Sequence, residues 1–355
     1  VFNNFFHRKL LYNLVVSQKN IRSFNLLITD FKKATIKKKK NFKITSFCQE
    51  ILIQEKPYTE SEIIFAVNNN FLFNELILSV SPTIYKDTEI TTSVIIDGNE
   101  FSFGRFSLYS SRSFKLDKNN GFIYADTLRL KKLTKNFDIK INIKSKTRYL
   151  SSIKLINSVL TNRVKKFTPS APFKPKKSLK LNIKKISQIL QKTSRNCDIC
   201  SPTSISMVLD YYGIKLSPLK IASHVYDKGL NIYGNWIFNT MFASIKSLYS
   251  FVYRFNSIKE LFRFLDRKIP VIASVTFDEN ELSYSPLKKT KGHLLVIKGY
   301  TKNGDIIVND PASPNIKDVE RVYLQKEFEK VWLENKYGTS YIIVDDIKKL
   351  PIKVL

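Results

Sequence analysis

Cys200, His293 and Asp310 are the residues whose types and surroundings could together do nucleophilic chemistry. Cys200 opens the run Cys200-Ser201-Pro202-Thr203-Ser204, where a polar, turn-like stretch (Thr193 to Ile199) gives way to apolar residues at helical spacing, Ile205 to Tyr212. Gly213 ends that run as a residue past a helix C-terminus should, and Pro202 suits a first turn, where no amide donor is needed. Cys200 is therefore expected at or beside a helix N-cap, facing unpaired N–H groups and the positive end of the helix dipole. Such a place favours the thiolate, the nucleophilic form of cysteine.

A thiolate nucleophile needs a base, and the chain has 3 histidines. His7 lies in an N-terminal segment with no clear pattern. His224 falls in the helical stretch Ser217–Asp227 and reads as a surface or core residue. His293 opens the apolar strand Gly292–Tyr300, which Asn303-Gly304 turns back into a second strand, Asp305–Asn309, before Asp310-Pro311. If Tyr300 faces Asp305, Asp310 faces Leu295. If the loop is two residues long, Asp310 faces Ile297. In both registers Asp310 shares a sheet face with His293, because side chains alternate with period two. In the first the two are diagonal neighbours, about 7–8 Å apart, which polar side chains can bridge. Asp310 can then orient the imidazole, the third role in a nucleophile–base–orienter set.

These stretches resemble a family. CSPTS followed by MVLDYYG, then GNW at 234–236, GHLLVIKGY at 292–300 and VNDPA at 308–312, look like the papain-like cysteine peptidases that process bacteriocins with double-glycine leaders. More narrowly they resemble the stand-alone secreted members that lack a transporter. The resemblance covers about residues 183–345. It implies Cys200 as nucleophile, His293 as general base and acid, and Asp310 as orienter. It also implies an upstream glutamine that joins the Cys200 amide in holding the oxyanion. Gln188 fits that place, with Gln191 as its rival. The implied partner is a peptide or protein substrate, the implied location extracellular or in the cell envelope, and no cofactor or metal is called for.

Two other functions stay open. A catalytically silent domain could serve a protein that binds polyanionic cell-surface material. Cys197 and Cys200 also form a C-x-x-C pair, the mark of a dithiol oxidoreductase. No thioredoxin-like βαβ pattern surrounds the pair, and His293 and Asp310 would then have no role. A structural zinc site needs four ligands, and beyond this pair the chain has only Cys48, with no histidine pair at finger spacing. Trp236 reads as a core anchor opening the helix Trp236–Leu248, with a place in the substrate cleft as the alternative. The loop Asp278–Lys291, running directly into His293, is expected to border the cleft and select substrates.

The elements that must position these residues follow from the rest of the chain. At 355 residues it can build two cores. Residues 1–58 are read as an N-terminal segment, part of a β domain. Residues 59–162 carry short alternating strands separated by turns such as Asp97-Gly98-Asn99, the pattern of an all-β sandwich. Residues 163–182, with Pro169, Pro172 and Pro175 among lysines, read as a basic linker. Residues 183–347 place helices first and an antiparallel sheet later, an α+β order, with 348–355 as a tail. The net charge of +29 is uneven: residues 1–199 hold 37 Lys+Arg against 14 Asp+Glu, and residues 200–355 hold 22 against 16. That field would attract polyanions such as wall polymers, but no nucleic-acid fold surrounds the basic clusters. No run of 18 apolar residues suggests a transmembrane helix, and no signal peptide is visible in a chain that starts at Val1.

Overall fold

The computed structural model describes residues 21–46, 50–245 and 247–352, so His7 and Cys48 lie outside the described residues. The protein is a mixed α and β structure with much sheet.

The front half forms two antiparallel sheets. The larger has eight strands, with Phe73–Thr83 and Ser152–Thr161 at its centre. It runs out through Thr127–Thr134 and Gly121–Tyr124 to an edge strand, Lys115–Lys118. The smaller has five strands, centred on Phe137–Ser145 between Glu60–Val67 and Thr88–Ile96. The alternation read in the sequence is literal here. In Phe137–Ser145 the residues Phe137, Ile139, Ile141 and Ile143 are buried, and the polar residues between them are not. Phe73 of the larger sheet meets Phe137 of the smaller edge to face, with centroids 5.5 Å apart. Several lysines of the smaller sheet are ion-paired, Lys37 to Asp138 (2.7 Å), Lys38 to Glu62 (2.6 Å) and Lys144 to Glu60 (2.9 Å), so part of the basic excess is locally neutralised.

The back half sets the helices Cys200–Tyr211, Pro218–Val225, Trp236–Ala243 and Ile258–Asp266, with a shorter one at Gln325–Phe328, against a seven-stranded antiparallel sheet. Its order is Tyr249–Arg254, Thr339–Val344, Val271–Phe277, Thr290–Tyr300, Ile306–Asn309 and Glu320–Tyr323, and Leu179–Lys180 also pairs with Thr290–Tyr300. Ser217, Asn235 and Ser257 cap three of the helices through their side chains, as such residues do at N-caps. The first helix packs on the His293 strand, tied by Ser204 Oγ donating to Leu294 O at 3.2 Å.

The two halves meet over a buried polar seam. Glu75 of the larger front sheet accepts from Arg254 of the back sheet (2.6 Å), Arg163 (2.6 Å) and Arg129 (2.9 Å). Ser81 Oγ donates to Ser250 O at 2.6 Å, and Lys154 Nζ donates to Ser244 O and Leu248 O at 3.0 and 2.7 Å. His224 belongs to this seam. It is buried, its Nδ1 lies 2.6 Å from Leu108 O, and its ring stacks on Phe242. Buried polar groups arranged this way favour one docking geometry, because separating the halves removes the contacts that cross between them.

Candidate active site

Cys200 is the first residue of the Cys200–Tyr211 helix, with Ile199 as its N-cap, and Thr203 N already bonds Ile199 O at 3.0 Å. The thiol is half-buried at the wall of a groove of about 870 Å³. Neither Cys197 nor Cys200 is in a disulfide.

His293 stands on the adjacent strand and is 3 % exposed. Its Nε2 lies 2.8 Å from Asp310 Oδ1, which leaves Nδ1 for the Cys200 sulfur beside the ring. The hairpin reaches this arrangement by a detour. Near the turn Tyr300 pairs with Ile306 and Gly299 with Ile307, one residue off either sequence register. A β-bulge at Lys298 then shifts the pairing to Ile297 with Val308 and Val296 with Asn309. One step further puts Asp310 opposite Leu295, the first of the two sequence registers, although the regular strand stops at Asn309.

Asp310 is buried and fully engaged. Oδ1 also accepts from Ala312 N (3.0 Å), and Oδ2 accepts from the Tyr323 hydroxyl (2.8 Å). Burial pushes the Asp310 carboxyl up, but the His293 imidazolium, the Tyr323 hydroxyl and the Ala312 amide outweigh it and hold the group below the usual carboxylate value. Burial likewise disfavours a charged His293. The Asp310 carboxylate, and after it the Cys200 sulfur, overcome that and push the imidazole up to about 10. Burial raises the Tyr323 hydroxyl as well, so it stays a donor to Asp310. Tyr323 has no counterpart in the sequence reading: it sits on Glu320–Tyr323, too short and polar-flanked to stand out.

Gln188 is buried just upstream. Its backbone N donates to Pro311 O at 2.8 Å, and its Nε2 donates to Cys197 O at 2.9 Å, so it bridges the Asp310 turn and the approach to Cys200. Its Oε1 is buried without a partner among the described residues. Gln191 turns its Nε2 back to Ser187 O at 2.8 Å.

The groove walls differ from expectation in two ways. Trp236 does open its helix, but it is half-buried and lines the groove, so the cleft reading describes it better than the core reading. The loop Asp278–Lys291 contributes nothing to the lining. Leu282 is buried, Ser283 bonds Glu327 (2.8 and 2.9 Å), and Arg321 Nη1 holds Tyr284 O at 2.7 Å, so the loop is tied down on the side of Glu320–Phe328. The front half supplies that wall instead. Leu116, Phe122, Tyr124 and Asp126 of the 115–129 strands face Cys200, Trp236 and Leu294 across the groove. Asp126 is the hinge of this contact, its Oδ2 accepting from Trp236 N at 2.6 Å. Burial raises its carboxyl to about 6 against the pull of that amide.

Residues 180–340 match the model of the Peptidase_C39 like family. That part of the chain is similar to the family. The match supports a function of cysteine-peptidase type with a peptide substrate. Among solved structures, the chain is similar to a double glycine motif protease from an AMS/PCAT transporter in complex with the leader peptide, at 17% identity over 47% of this chain and 96% of that one, with a TM-score of 0.31. It is also similar to the peptidase domain of Streptococcus ComA, a bi-functional ABC transporter involved in a quorum sensing pathway, at 15% identity over 46% of this chain and 98% of that one, with a TM-score of 0.31. No curated protein matches the chain. No helix among the described residues is long and apolar enough to cross a membrane. Nothing in these likenesses supports binding of the Peptidase_C39-like part or its front half to a polyanionic polymer.

Proposed function

We propose that the protein is a cysteine peptidase that cleaves amide bonds by acyl transfer through Cys200, His293 and Asp310. The carrying observation is the placement of one imidazole between the Cys200 sulfur and the Asp310 carboxylate, 2.8 Å away, at the wall of a groove wide enough for a peptide. In this reading the Cys200 thiolate attacks the substrate carbonyl and a C–S bond forms. The His293 imidazolium gives its proton to the leaving nitrogen as the C–N bond breaks. His293 then takes a proton from water, which attacks the thioester, releases the acid and restores the thiolate. Asp310 keeps the imidazole in one orientation and stabilises its charged form. The oxyanion is assigned to the Cys200 amide, at a helix start where N–H groups are unpaired, and to the second N–H of Gln188 Nε2. Each such donor is worth about 3–4 kcal/mol in comparable enzymes. A papain-like layering of the back half and a sandwich in the front half belong to the same proposal.

The test is turnover of a quenched-fluorescence peptide library. Cys200→Ala and His293→Ala should abolish cleavage, and Asp310→Ala should reduce it severely, with unchanged circular dichroism in all three. A Cys200→Ala protein that still cleaves the library sinks the reading. A wild-type protein that binds surface polymers with steep salt dependence and cleaves nothing favours the silent binding domain.

A further inference from the structure

The groove contains a positive charge with no hydrogen bond or ion pair among the described residues. Lys336 lines it, with its ammonium 5.7 Å from the centre of the Trp236 ring and 3.8 Å from where a Cβ would stand on Gly292, the neighbour of His293. Its side-chain nitrogen makes no hydrogen bond or ion pair with any described residue. The acids around it are committed elsewhere. Asp126 accepts from Trp236 N at Oδ2 (2.6 Å) and from the Thr127 hydroxyl at Oδ1 (3.0 Å). Glu75 is ringed by three guanidiniums, and Asp198 pairs with Arg195 at 2.8 Å. Burial draws the ammonium below the ordinary lysine value, Asp126 opposes this from a distance, and Arg254 and Arg129 add to it.

The lysine is delivered by a built turn rather than a loose tail. The helix that starts at Gln325 widens to a π-helix over Glu329–Glu334, a distortion common at functional sites. Trp332 within it is fully buried and donates from Nε1 to Thr339 O at 3.2 Å. Gly338, at φ +67°, closes the turn so tightly that a Cβ there would strike Phe255 O. Facing the lysine, the strand Gly121–Tyr124 buries Gly121 and Ile123 and turns Phe122 and Tyr124 outward, 40% and 50% exposed. An unpaired, half-buried ammonium in a site of this kind is costly unless a ligand anion completes it.

We propose that Lys336 is a specificity-determining residue of the groove, taking a carboxylate of the peptide substrate while Trp236, Phe122 and Tyr124 hold the apolar groups beside it. This rests on the peptidase reading above. The carboxylate comes either from an acidic side chain near the scissile bond or from the substrate's C-terminus.

The experiment uses the full chain and matched quenched-fluorescence peptides. One set differs only by Glu or Gln at a single position flanking the scissile bond, and another by a C-terminal acid or amide. The acid member of one pair should be preferred by about 10- to 100-fold in kcat/KM, the span of a hydrogen bond to a charged group. Which pair discriminates tells the side chain from the terminus. Lys336→Met should bring the acid-to-amide ratio near one, and Lys336→Arg should keep most of it. The same pairs titrated into Cys200→Ala, with and without Lys336→Met, and followed by tryptophan emission, read recognition without turnover. The proposal is overturned if wild type treats both members alike, or if Lys336→Met keeps the ratio. Lys336-dependent binding of the acid member without turnover by wild type would support the subsite and reject the peptidase reading. Turnover with no acid preference would do the reverse.

Discussion

Tyr323→Phe removes one oxygen from the buried set behind His293 and leaves the ring in place. Asp310 then keeps two of its three donors, His293 Nε2 at 2.8 Å and Ala312 N at 3.0 Å, and loses the hydroxyl at 2.8 Å. A hydrogen bond to a charged acceptor is worth about 1.5–3 kcal/mol. Only the difference from a neutral hydrogen bond, about 1–1.5 kcal/mol, moves the titration, so at about 1.36 kcal/mol per pKa unit the Asp310 carboxyl should rise by about one unit. It starts below the usual carboxylate value, so it should remain ionised at neutral pH and still hold the His293 charge. A depressed carboxyl contributes stability that is present above its unfolded pKa and lost as pH falls through its folded one. The variant should therefore lose about 1.5–3 kcal/mol at neutral pH. The difference should shrink towards about 0.5–1.5 kcal/mol, that of a neutral hydrogen bond, as pH falls through the folded-state titration of Asp310. Urea unfolding as a function of pH gives the first quantity, and the pH profile of Cys200 alkylation gives the second, with its acid limb displaced upward by about one unit. A stability difference that does not change with pH, together with an unmoved acid limb, would refute the link from Tyr323 through Asp310 to His293.

Glu75→Gln should cost about 3–5 kcal/mol, because it leaves the buried Arg254 guanidinium without its countercharge. Burial raises the Glu75 carboxyl, but Arg254 and Arg163 overcome this and bring it to about 2. Wild type should thus lose stability as pH falls from about 4.5 towards 2, and thermal melts of the variant should show a shallower slope there. Cys197→Ser separates the dithiol chemistry from acyl transfer. The Gln188 contact is to the Cys197 backbone carbonyl, so turnover should fall by less than about tenfold, against its loss in Cys200→Ser. Equal losses would favour the oxidoreductase.

What could be read from the sequence was local. Val271–Phe277 and Thr339–Val344 have the bounds that their apolar runs suggest, and the helix at Cys200 starts where the polar stretch ends. Strand parity put Asp310 on the His293 face, but the bulge at Lys298 was invisible, because it depends on Lys298 being drawn inward to Ile183 O and Glu320. Strand Tyr249–Arg254 escaped notice, since six fully buried residues show no alternation. The expectation for the Asp278–Lys291 loop failed for a tertiary reason: nearness to His293 in sequence does not decide which side of the sheet a loop covers. The hairpin wall with Phe122, Tyr124 and Asp126, and the placing of Lys336 opposite it, arise only when the halves dock. Neither segment carries a motif that says so.

The most direct measurement is the rate of Cys200 alkylation by iodoacetamide against pH, read by mass spectrometry, with the exposed Cys197 as internal control and repeated in His293→Ala. The account predicts that Cys200 reacts faster than Cys197 as pH falls, because the His293 charge beside it favours the thiolate, and that His293→Ala removes the difference between the two. Parallel profiles for both cysteines in the wild-type protein, unchanged in His293→Ala, would contradict it.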